Sequence, residues 1–291
     1  MAGPVMRRWL GGAALLSALS LLSAALAHGV EPVAQQVQVP SLDGNLALPG
    51  HWFPAGGSAP APALVLLHGC GGAQDRQGRL SARYVEVAAR LNLMGVQALV
   101  VDSLTPRGER ELCTQAVGGR KVTQVHRRAD ALAALKWLTA QPGVDARRIG
   151  LLGWSNGGST VLAATNVRHA DVRTASVRPT LAIAYYPGCE AELRRGHKPL
   201  APLLLLLGEA DDWTAAAPCK ALAEQGAPMT QFEAYADAHH GFDGRAPLRL
   251  REDVPGGTRP GRGVHVGANP AARNAAALRL ERFIRDHWGP L

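Results

Sequence analysis

Five short apolar runs recur along the chain and constrain its fold more than any other feature. They cover residues 64–68, 96–102, 149–154, 181–186 and 203–207, and each is bounded by glycine, proline or aspartate. Runs that are apolar at nearly every position, rather than at alternate positions, are typical of strands buried on both faces of a parallel sheet. The runs therefore predict a parallel sheet that is covered on both sides.

Stretches with helical periodicity lie between these runs. Residues 84–91 place apolar side chains at i, i+3, i+4 and i+7, which predicts an amphipathic helix. Residues 129–138 and 157–164 indicate two more helices. A last helix opens with Asn269 as its cap and Pro270 in its first turn. Strands that alternate with helices predict a three-layer α/β domain with a mostly parallel sheet and helices on both faces.

Two glycine- and proline-rich segments are expected to be loops. Residues 50–62 are predicted to connect early strands at the surface, and residues 249–268 to form a solvated excursion before the last helix. With 47% hydrophobic and 19% charged residues, the chain can bury a substantial core, which excludes wholesale disorder. Because no repeat or linker divides the rest of the chain, residues 28–291 are expected to form a single domain.

The first 27 residues differ in character from the remainder. Arg7 and Arg8 precede an apolar run over residues 9–26, which ends in Ala-Leu-Ala. This order predicts a cleavable export signal, with an uncleaved anchor as the alternative. Its removal lowers the formal charge from +8 to 29 minus 23, or +6, and the remaining charge is scattered. We therefore expect a periplasmic or secreted protein with no stable membrane insertion after cleavage and no nucleic-acid partner.

Four cysteines, Cys70, Cys113, Cys189 and Cys219, follow the predicted signal. An even number of cysteines in an oxidising compartment favours two disulfides. Their spacings of 43, 76 and 30 residues lack the close pairs of zinc sites, so no metal centre is expected. The count alone leaves three pairings open.

The sequence Gly-Trp-Ser-Asn-Gly-Gly at residues 153–158 follows the third apolar run and opens a helical stretch. A Gly-x-Ser-x-Gly motif between a strand and a helix predicts a nucleophile elbow. In such an elbow a sharp, strained turn presents the serine at the helix N-terminus, and only glycine fits on either side. Ser155 is therefore the candidate nucleophile, and an ordinary glycine-rich turn is the alternative reading.

A serine hydroxyl needs a base, and the base needs an orienting acid. Asp211 follows the fifth apolar run three residues after Gly208, and His240 precedes Gly-Phe ahead of the last helix. The order Ser155, Asp211, His240 is the one expected when an elbow of this kind sits on an α/β sheet. The adjacent residues Asp212 and His239 remain open as alternatives for the acid and the base.

A tetrahedral oxyanion needs two backbone donors that point to one place. The expected donors are the amides of Asn156, directly after the nucleophile, and of Cys70, in the loop after the first apolar run. Arg107 is a candidate ligand for a substrate carboxylate, with a structural arginine as the alternative. Trp154 and Trp213 are candidate pocket walls, with core packing as the alternative.

Five pieces of the chain resemble the dienelactone hydrolase-like family of α/β-hydrolases, in its exported type. They are His-Gly-Cys-Gly-Gly at 68–72, Asp-Ser-Leu-Thr-Pro-Arg-Gly at 102–108, Gly-Trp-Ser-Asn-Gly-Gly at 153–158, Gly-Glu-Ala-Asp-Asp-Trp at 208–213 and His-His-Gly-Phe at 239–242. The resemblance covers roughly residue 60 to the C-terminus and implies the α/β-hydrolase fold. It favours Asp211 as acid and His240 as base. Dienelactone hydrolases proper use a cysteine nucleophile and a glutamate on the oxyanion loop, and this chain departs from that pattern at Ser155 and Cys70.

The resemblance also implies an activity and a disulfide pairing. The implied activity is hydrolysis of a small carboxylic ester through a Ser-His-Asp triad and an acyl-enzyme, without a cofactor. Neighbouring strand ends in this fold imply that Cys70 pairs with Cys113 and Cys189 with Cys219. Two other functions remain open: a serine peptidase of the prolyl oligopeptidase type, for which a propeller-sized N-terminal extension is lacking, and a non-catalytic binding protein on a hydrolase scaffold.

Overall fold

The computed structural model describes residues 1–3, 34–57 and 59–291. The predicted export signal lies outside the described residues, apart from the first three. From residue 34 onward the chain builds an eight-stranded sheet. Its strands are β1 (Gln35–Pro40), β2 (Ala47–Phe53), β3 (Ala61–Leu67), β4 (Gln97–Val101), β5 (Val144–Trp154), β6 (Leu181–Tyr185), β7 (Leu203–Gly208) and β8 (Thr230–Tyr235).

The strand order in the sheet is β1-β2-β4-β3-β5-β6-β7-β8. Strands β3 to β8 run parallel to one another, whereas β2 is antiparallel to both of its neighbours, β1 and β4. The five apolar runs of the sequence form the five strands β3 to β7. This arrangement confirms the prediction of a mostly parallel α/β sheet.

Helices cover both faces of the sheet. They are α1 (Ala82–Leu93), α2 (Gln124–Thr139), α3 (Asn156–Thr165), α4 (Ala170–Thr174), α5 (Glu190–Arg194), α6 (Ala216–Gln225) and α7 (Pro270–Trp288). The core on one face includes residues of α2, α3 and α6, and the core on the other includes residues of α1 and α7. Helix α7 is capped as its sequence predicts, because Asn269 Oδ1 accepts a hydrogen bond from the Ala272 amide at 3.1 Å.

Strand β7 shows why its residues are apolar at every position. Leu203, Leu205 and Leu207 pack into the core beneath α2, α3 and α6, whereas Leu204 and Leu206 pack into the core beneath α1 and α7. Successive side chains of a strand point to opposite faces, and here both faces are covered. The leucine run is therefore uninterrupted because both faces of β7 are buried.

The loop expected over residues 50–62 begins later than predicted. Strand β2 continues to Phe53 and β3 begins at Ala61, so the connection covers only residues 54–60. A methyl group at Gly50 would lie 2.9 Å from a Val37 methyl and 3.2 Å from a Leu99 methyl. Gly50 therefore leaves room for side chains of neighbouring strands, and its glycine is a packing feature rather than a turn.

The segment over residues 249–268 is also more ordered than the predicted solvated excursion. It contains an antiparallel hairpin of β9 (Arg249–Arg251) and β10 (Val264–Val266). Val254 and Val264 are buried, in a small core with Cys70, Cys113 and Leu104. The hairpin thus packs against the loops at the end of the sheet instead of extending into solvent.

Two disulfides fasten loops that follow the parallel strands. Cys70 is joined to Cys113 with their Cα atoms 5.0 Å apart, and Cys189 to Cys219 with a Cα separation of 5.1 Å. These are the pairs that the resemblance implied. The first bridge ties the loop after β3 to the segment after β4, and the second ties the start of α5 to α6. Among the described residues, no helix has the length and apolar character to cross a bilayer.

Replacing Leu205 with alanine tests the two-sided core. Leu205 is fully buried, so the variant should lose about 2–5 kcal/mol of unfolding free energy through lost burial and a cavity. Leu93→Ala is the matched control, because Leu93 is 90% exposed and its loss should stay within about 0.5 kcal/mol. Urea denaturation measures both, and equal effects would contradict this packing.

Candidate active site

Ser155 occupies a turn that only glycine neighbours permit. Strand β5 ends at Trp154 and α3 begins at Asn156, so Ser155 alone makes the connection, with φ 53° and ψ −117°. A methyl group at Gly157 would overlap the carbonyl oxygen of Leu67, and one at Gly153 would overlap the carbonyl of Gly157. The positive φ is costly for serine and is imposed by this close packing of backbone on backbone. The turn points the hydroxyl away from the sheet at the N-terminus of α3.

Three side chains meet at the edge of the sheet where the parallel strands end. His240 Nε2 lies 2.9 Å from Ser155 Oγ, and His240 Nδ1 lies 2.8 Å from Asp211 Oδ2. Ser155 follows β5, Asp211 follows β7 and His240 follows β8. The residues are far apart in the chain and converge because the parallel strands share one carboxyl edge. The structure thus brings together the three residues that the sequence singled out.

Asp211 is held rigidly in its loop. Its Oδ1 accepts hydrogen bonds from the amides of Trp213 at 2.8 Å and Thr214 at 2.9 Å, whereas its Oδ2 contacts the imidazole and lies 3.0 Å from the Thr214 hydroxyl. Burial raises the pKa of Asp211, but the His240 ring and these hydrogen bonds lower it by more, so the pKa lies below its ordinary value. The ionised carboxylate accepts a hydrogen bond from the N–H group of His240 Nδ1. His240 Nε2 then faces the serine with its lone pair.

The His240 ring is held between two aromatic side chains. Its centroid lies 4.6 Å from that of Tyr186 and 4.7 Å from that of Trp213. Tyr186 is itself fixed, because its hydroxyl donates to Asp243 Oδ1 at 2.6 Å. The imidazole is therefore restrained by packing as well as by its hydrogen bonds.

The alternative acid and base have other partners. Asp212 Oδ2 lies 2.7 Å from His265 Nδ1, and Asp212 Oδ1 accepts the His265 amide at 2.7 Å. His239 packs its ring against His265, with centroids 5.4 Å apart. The geometry therefore joins Asp211, rather than Asp212, to His240. Asp212 instead attaches strand β10 to the loop that carries Asp211.

Two backbone amides beside Ser155 are free to bind an anion. Within the part of the chain that the structure describes, neither the Asn156 nor the Cys70 amide donates a hydrogen bond to another protein group. The Cys70 loop is held in place, because the Gly69 amide donates to the Tyr84 hydroxyl at 3.3 Å and the Cys70 carbonyl accepts the Leu112 amide at 2.7 Å. The Cys70–Cys113 disulfide adds a covalent restraint. These are the two amides that the sequence nominated for an oxyanion hole.

Ser155 opens into a cleft of about 450 Å³. The cleft walls come from the segment before α2, from α5 and from the loop between β9 and β10. Side chains and backbone that line it include Cys70, Cys113, Val117, Arg120, Gln124, Asn156, Glu190, Arg194, Trp213 and Gly257. Among the described residues, no group of three or more His, Cys, Asp or Glu side chains is arranged to hold a metal ion.

The predicted substrate-binding residues separate into two groups. Trp213 lines the cleft. Trp154 is 2% exposed and its indole Nε1 donates to Asp243 Oδ2 at 2.8 Å, so it lies in the core on the other side of the elbow. Arg107 makes a two-pronged ion pair with buried Asp130, with both N–O distances 2.8 Å. Arg107 and Trp154 thus form hydrogen bonds with carboxylates inside the protein, and neither lines the cleft as predicted.

Sequence reasoning missed Arg127 and the hairpin loop. Arg127 is buried next to Asn156, where it bonds the Asn156 side chain and the His68 carbonyl. The available signal was an arginine close to an apolar helical stretch, which must find buried acceptors if that helix is covered. Residues 255–257 line the cleft, and their glycine-rich composition resembled that of an ordinary solvated loop.

Comparison with known proteins places this site in a family. The family model described as "Dienelactone hydrolase family" matches residues 51–287. A Bradyrhizobium protein described as "Probable 2-oxo-3-(5-oxofuran-2-ylidene)propanoate lactonase" is 28% identical over 181 residues, which are 54% of this chain. The match spans 66% of that relative, a little under two thirds of its length.

Solved structures show the same fold at low sequence identity. Thermogutta terrifontis esterase 2, phosphonylated by cyclosarin, aligns with a TM-score of 0.64 at 18% identity, covering 90% of this chain and 97% of the esterase. A dienelactone hydrolase from Anabaena variabilis aligns with a TM-score of 0.61 at 19% identity, covering 89% and 99%. A dienelactone hydrolase-like promiscuous phosphotriesterase from metagenomic libraries gives 0.62 at 21% identity, covering 88% and 99%.

Replacing Gly157 with alanine tests the close packing at the elbow. The added methyl group would overlap the Leu67 carbonyl oxygen, so the variant should lose about 3 kcal/mol of unfolding free energy or fail to fold. Gly56→Ala is the control, because a methyl group there meets nothing within 4 Å. Denaturant unfolding compares the two variants, and a Gly157→Ala protein as stable as the control would refute the proposed constraint.

Replacing Asp211 with asparagine should change how the stability of the fold depends on pH in acid. The folded-state pKa of Asp211 is lowered, so its ionised form adds stability above about pH 4, and this contribution is lost as the pH falls through the folded pKa. Asp211→Asn should be less stable at pH 7 and should lose stability less steeply below pH 4. Glu209→Gln, at an exposed carboxyl two residues away, is the control. Thermal melts from pH 2 to 7 measure both, and parallel curves for wild type and Asp211→Asn would count against the Asp211 contacts.

Proposed function

The chain belongs to the dienelactone hydrolase family and is a hydrolase, and from this we propose that it cleaves small carboxylic esters with Ser155 as nucleophile. The observation that carries the proposal is the 2.9 Å contact between Ser155 Oγ and His240 Nε2. The 2.8 Å contact of His240 Nδ1 with Asp211 supports it, because it fixes the imidazole tautomer that accepts the serine proton.

Acylation begins when the ester carbonyl carbon lies against Ser155 Oγ. The oxygen attacks that carbon while its proton passes to His240 Nε2, and Asp211 stabilises the resulting imidazolium. The carbonyl oxygen becomes an oxyanion, which accepts hydrogen bonds from the Asn156 and Cys70 amides. When the tetrahedral intermediate collapses, the carbon–oxygen bond to the alcohol breaks, and the departing alkoxide takes the proton from His240 Nε2.

Deacylation repeats these steps with water. His240 Nε2 accepts a proton from the water as its oxygen attacks the acyl carbon, and the same two amides bind the second oxyanion. Collapse then returns the proton to Ser155 Oγ and releases the carboxylic acid. Because each amide is fixed before the substrate arrives, little reorganisation is needed as charge develops.

The cleft supports a small substrate. Its volume of about 450 Å³ lies toward the lower end of the roughly 300–1,000 Å³ range of small-molecule sites. The similarity of the chain to a probable lactonase and to an esterase solved with bound propionate or butyrate favours a lactone or a short acyl ester as the substrate. A lactone is an internal ester, so the same two steps open its ring without release of a separate alcohol.

We further propose that the protein works outside the cytoplasm, in the periplasm or after secretion. Its two disulfides support this location, because such bonds persist in oxidising compartments and are rare where thiols are kept reduced. The apolar run behind Arg7 and Arg8 in the sequence supports export as well.

Substitution of the nucleophile and the base tests the proposed chemistry. Ser155→Ala and His240→Ala should each lower kcat for p-nitrophenyl acetate by about ten-thousand-fold or more, since each removes a member of one catalytic unit. His239→Ala is the matched control and should keep activity within about threefold, because the His239 ring packs against His265 rather than against Ser155.

A fluorophosphonate probe provides a second measurement. It should label the wild-type protein at Ser155 and leave Ser155→Ala unlabelled, as judged by peptide mass mapping. Ester hydrolysis that survives in a folded Ser155→Ala protein would overturn the proposal, and so would labelling at a different serine. A peptide anilide assayed in parallel separates esterase from peptidase activity.

A further inference from the structure

We infer that Arg127 is a positioning residue, a buried cation that holds both segments of the oxyanion hole in place and adds a favourable field to them. This inference rests on the proposed function, because it concerns the same oxyanion.

Arg127 lies near the start of α2 and is 1% exposed, the largest of the fully buried side chains. Its Nη1 donates to Asn156 Oδ1, and its Nη2 donates to the His68 carbonyl oxygen at 2.7 Å. Asn156 carries one oxyanion donor on its backbone. His68 begins the loop that carries the other donor, at Cys70. One planar guanidinium therefore bridges the two segments whose relative position defines the oxyanion hole.

A second side chain of α2 strengthens this contact. Gln124 Nε2 donates to the Asn156 carbonyl at 3.1 Å, and Gln124 Oε1 accepts from the Thr160 hydroxyl at 2.9 Å. Asn156 is thus held through its backbone by Gln124 and through its side chain by Arg127. The start of α2 acts as a support for the first residue of α3.

The charge of Arg127 has no close counterion. Among the residues that the structure describes, no carboxylate oxygen lies within 4 Å of its guanidinium. The nearby Asp130 is engaged by Arg107 in a two-pronged pair. Asp102 accepts hydrogen bonds from the Leu104 amide and the Thr105 hydroxyl in its own turn.

Arg127 nevertheless stays charged at neutral pH. Burial lowers the pKa of its guanidinium to about 10, which is still well above 7. Burial and the charge of Arg127 lower the pKa of the adjacent His68 to about 3, so His68 is neutral. Arg127 is therefore the cation next to the oxyanion segments, and His68 serves as an uncharged spacer whose Nε2 accepts the Ser103 amide.

A buried cation without a close anion is costly, because it has lost the hydration it had in water. The proposed reaction generates an anion at the Asn156 and Cys70 amides, which lie in the two segments that Arg127 bonds. Opposite charges attract each other, and burial of Arg127 lowers the local dielectric and so strengthens that attraction. The charge is thus poorly compensated in the resting protein and better compensated in the transition state, which is the difference that lowers a barrier.

Arg127→Met tests the inference, and Arg128→Met is its matched control. Arg128 is the next residue of the same helix, is also buried, and pairs with Asp171 at 2.8 Å away from the cleft. Both variants lose a buried arginine, so both should lose thermal stability. Only Arg127→Met should lower kcat for p-nitrophenyl acetate, by about 100-fold, as expected when an oxyanion hole is impaired.

A thionoester provides a readout that a purely structural role would not move. Replacement of the carbonyl oxygen by sulfur weakens hydrogen bonding to the oxyanion hole, so catalysis of this substrate depends less on that hole. Arg127→Met should therefore reduce the ratio of ester to thionoester turnover about tenfold. Arg128→Met should leave this ratio at the wild-type value. KM should stay within about threefold for both variants, because the lost interaction acts in the transition state.

Two further variants keep the test decisive if Arg127→Met fails to fold. Arg127→Lys keeps the charge without the planar fork, and Asn156→Ala removes the acceptor while it retains the backbone donor; each should lower kcat and the ester-to-thionoester ratio in the same direction. An unchanged ratio in folded variants would overturn the inference. Loss of activity in Ser155→Ala together with full activity in Arg127→Met would overturn this inference alone, whereas inactive wild-type protein would overturn the proposed function itself.

Discussion

The site depends on one steric constraint, the missing side chains at Gly153 and Gly157. Because these residues lack a Cβ atom, the backbones of β5 and α3 contact each other and the end of β3. This contact forces Ser155 into a positive φ and places it beside the loop that begins at His68. The position of the hydroxyl, its reach to His240 and the convergence of the two free amides all follow from this backbone packing.

Rigid supports surround each of the groups proposed to take part in the reaction. Two amides fix Asp211, two aromatic rings hold His240, and a disulfide restrains the Cys70 loop. The buried Arg127 connects the start of the Cys70 loop, at the His68 carbonyl, to the side chain of Asn156. Such fixed dipoles and charges act on a developing oxyanion without having to reorient, as solvent water would. The loops around the site are thus firmly tied to the rigid sheet.

The sequence predicted those features that depend on local backbone demands. The glycines at 153–158 marked the elbow, and the apolar runs identified β3 to β7, because each pattern follows directly from burial or a sharp turn. Arg107 and Asp212 were harder to place, since their partners Asp130 and His265 lie 23 and 53 residues away. No local pattern records which carboxylate or ring a side chain will meet after folding. The end of strand β2 differs from the prediction because Gly50 resembles a turn residue. Its missing side chain in fact makes room for side chains of the neighbouring strands.

The hairpin of β9 and β10 is attached to the loop after β7, which carries Asp211, through a few contacts around Asp212. The His265 amide and ring bind the Asp212 carboxylate, the Thr258 amide binds its carbonyl, and Arg251 lies over the Trp213 ring. The residues between these anchors form part of the cleft wall and carry none of the three side chains that contact one another at Ser155. Strand β10 also pairs with His240, so an insertion or deletion that leaves the imidazole in place has to fall in the loop between β9 and β10 rather than in β10 itself. The loop between β9 and β10 is thus the part of the wall whose length and side chains shape the cleft without supplying any of the three contacting side chains.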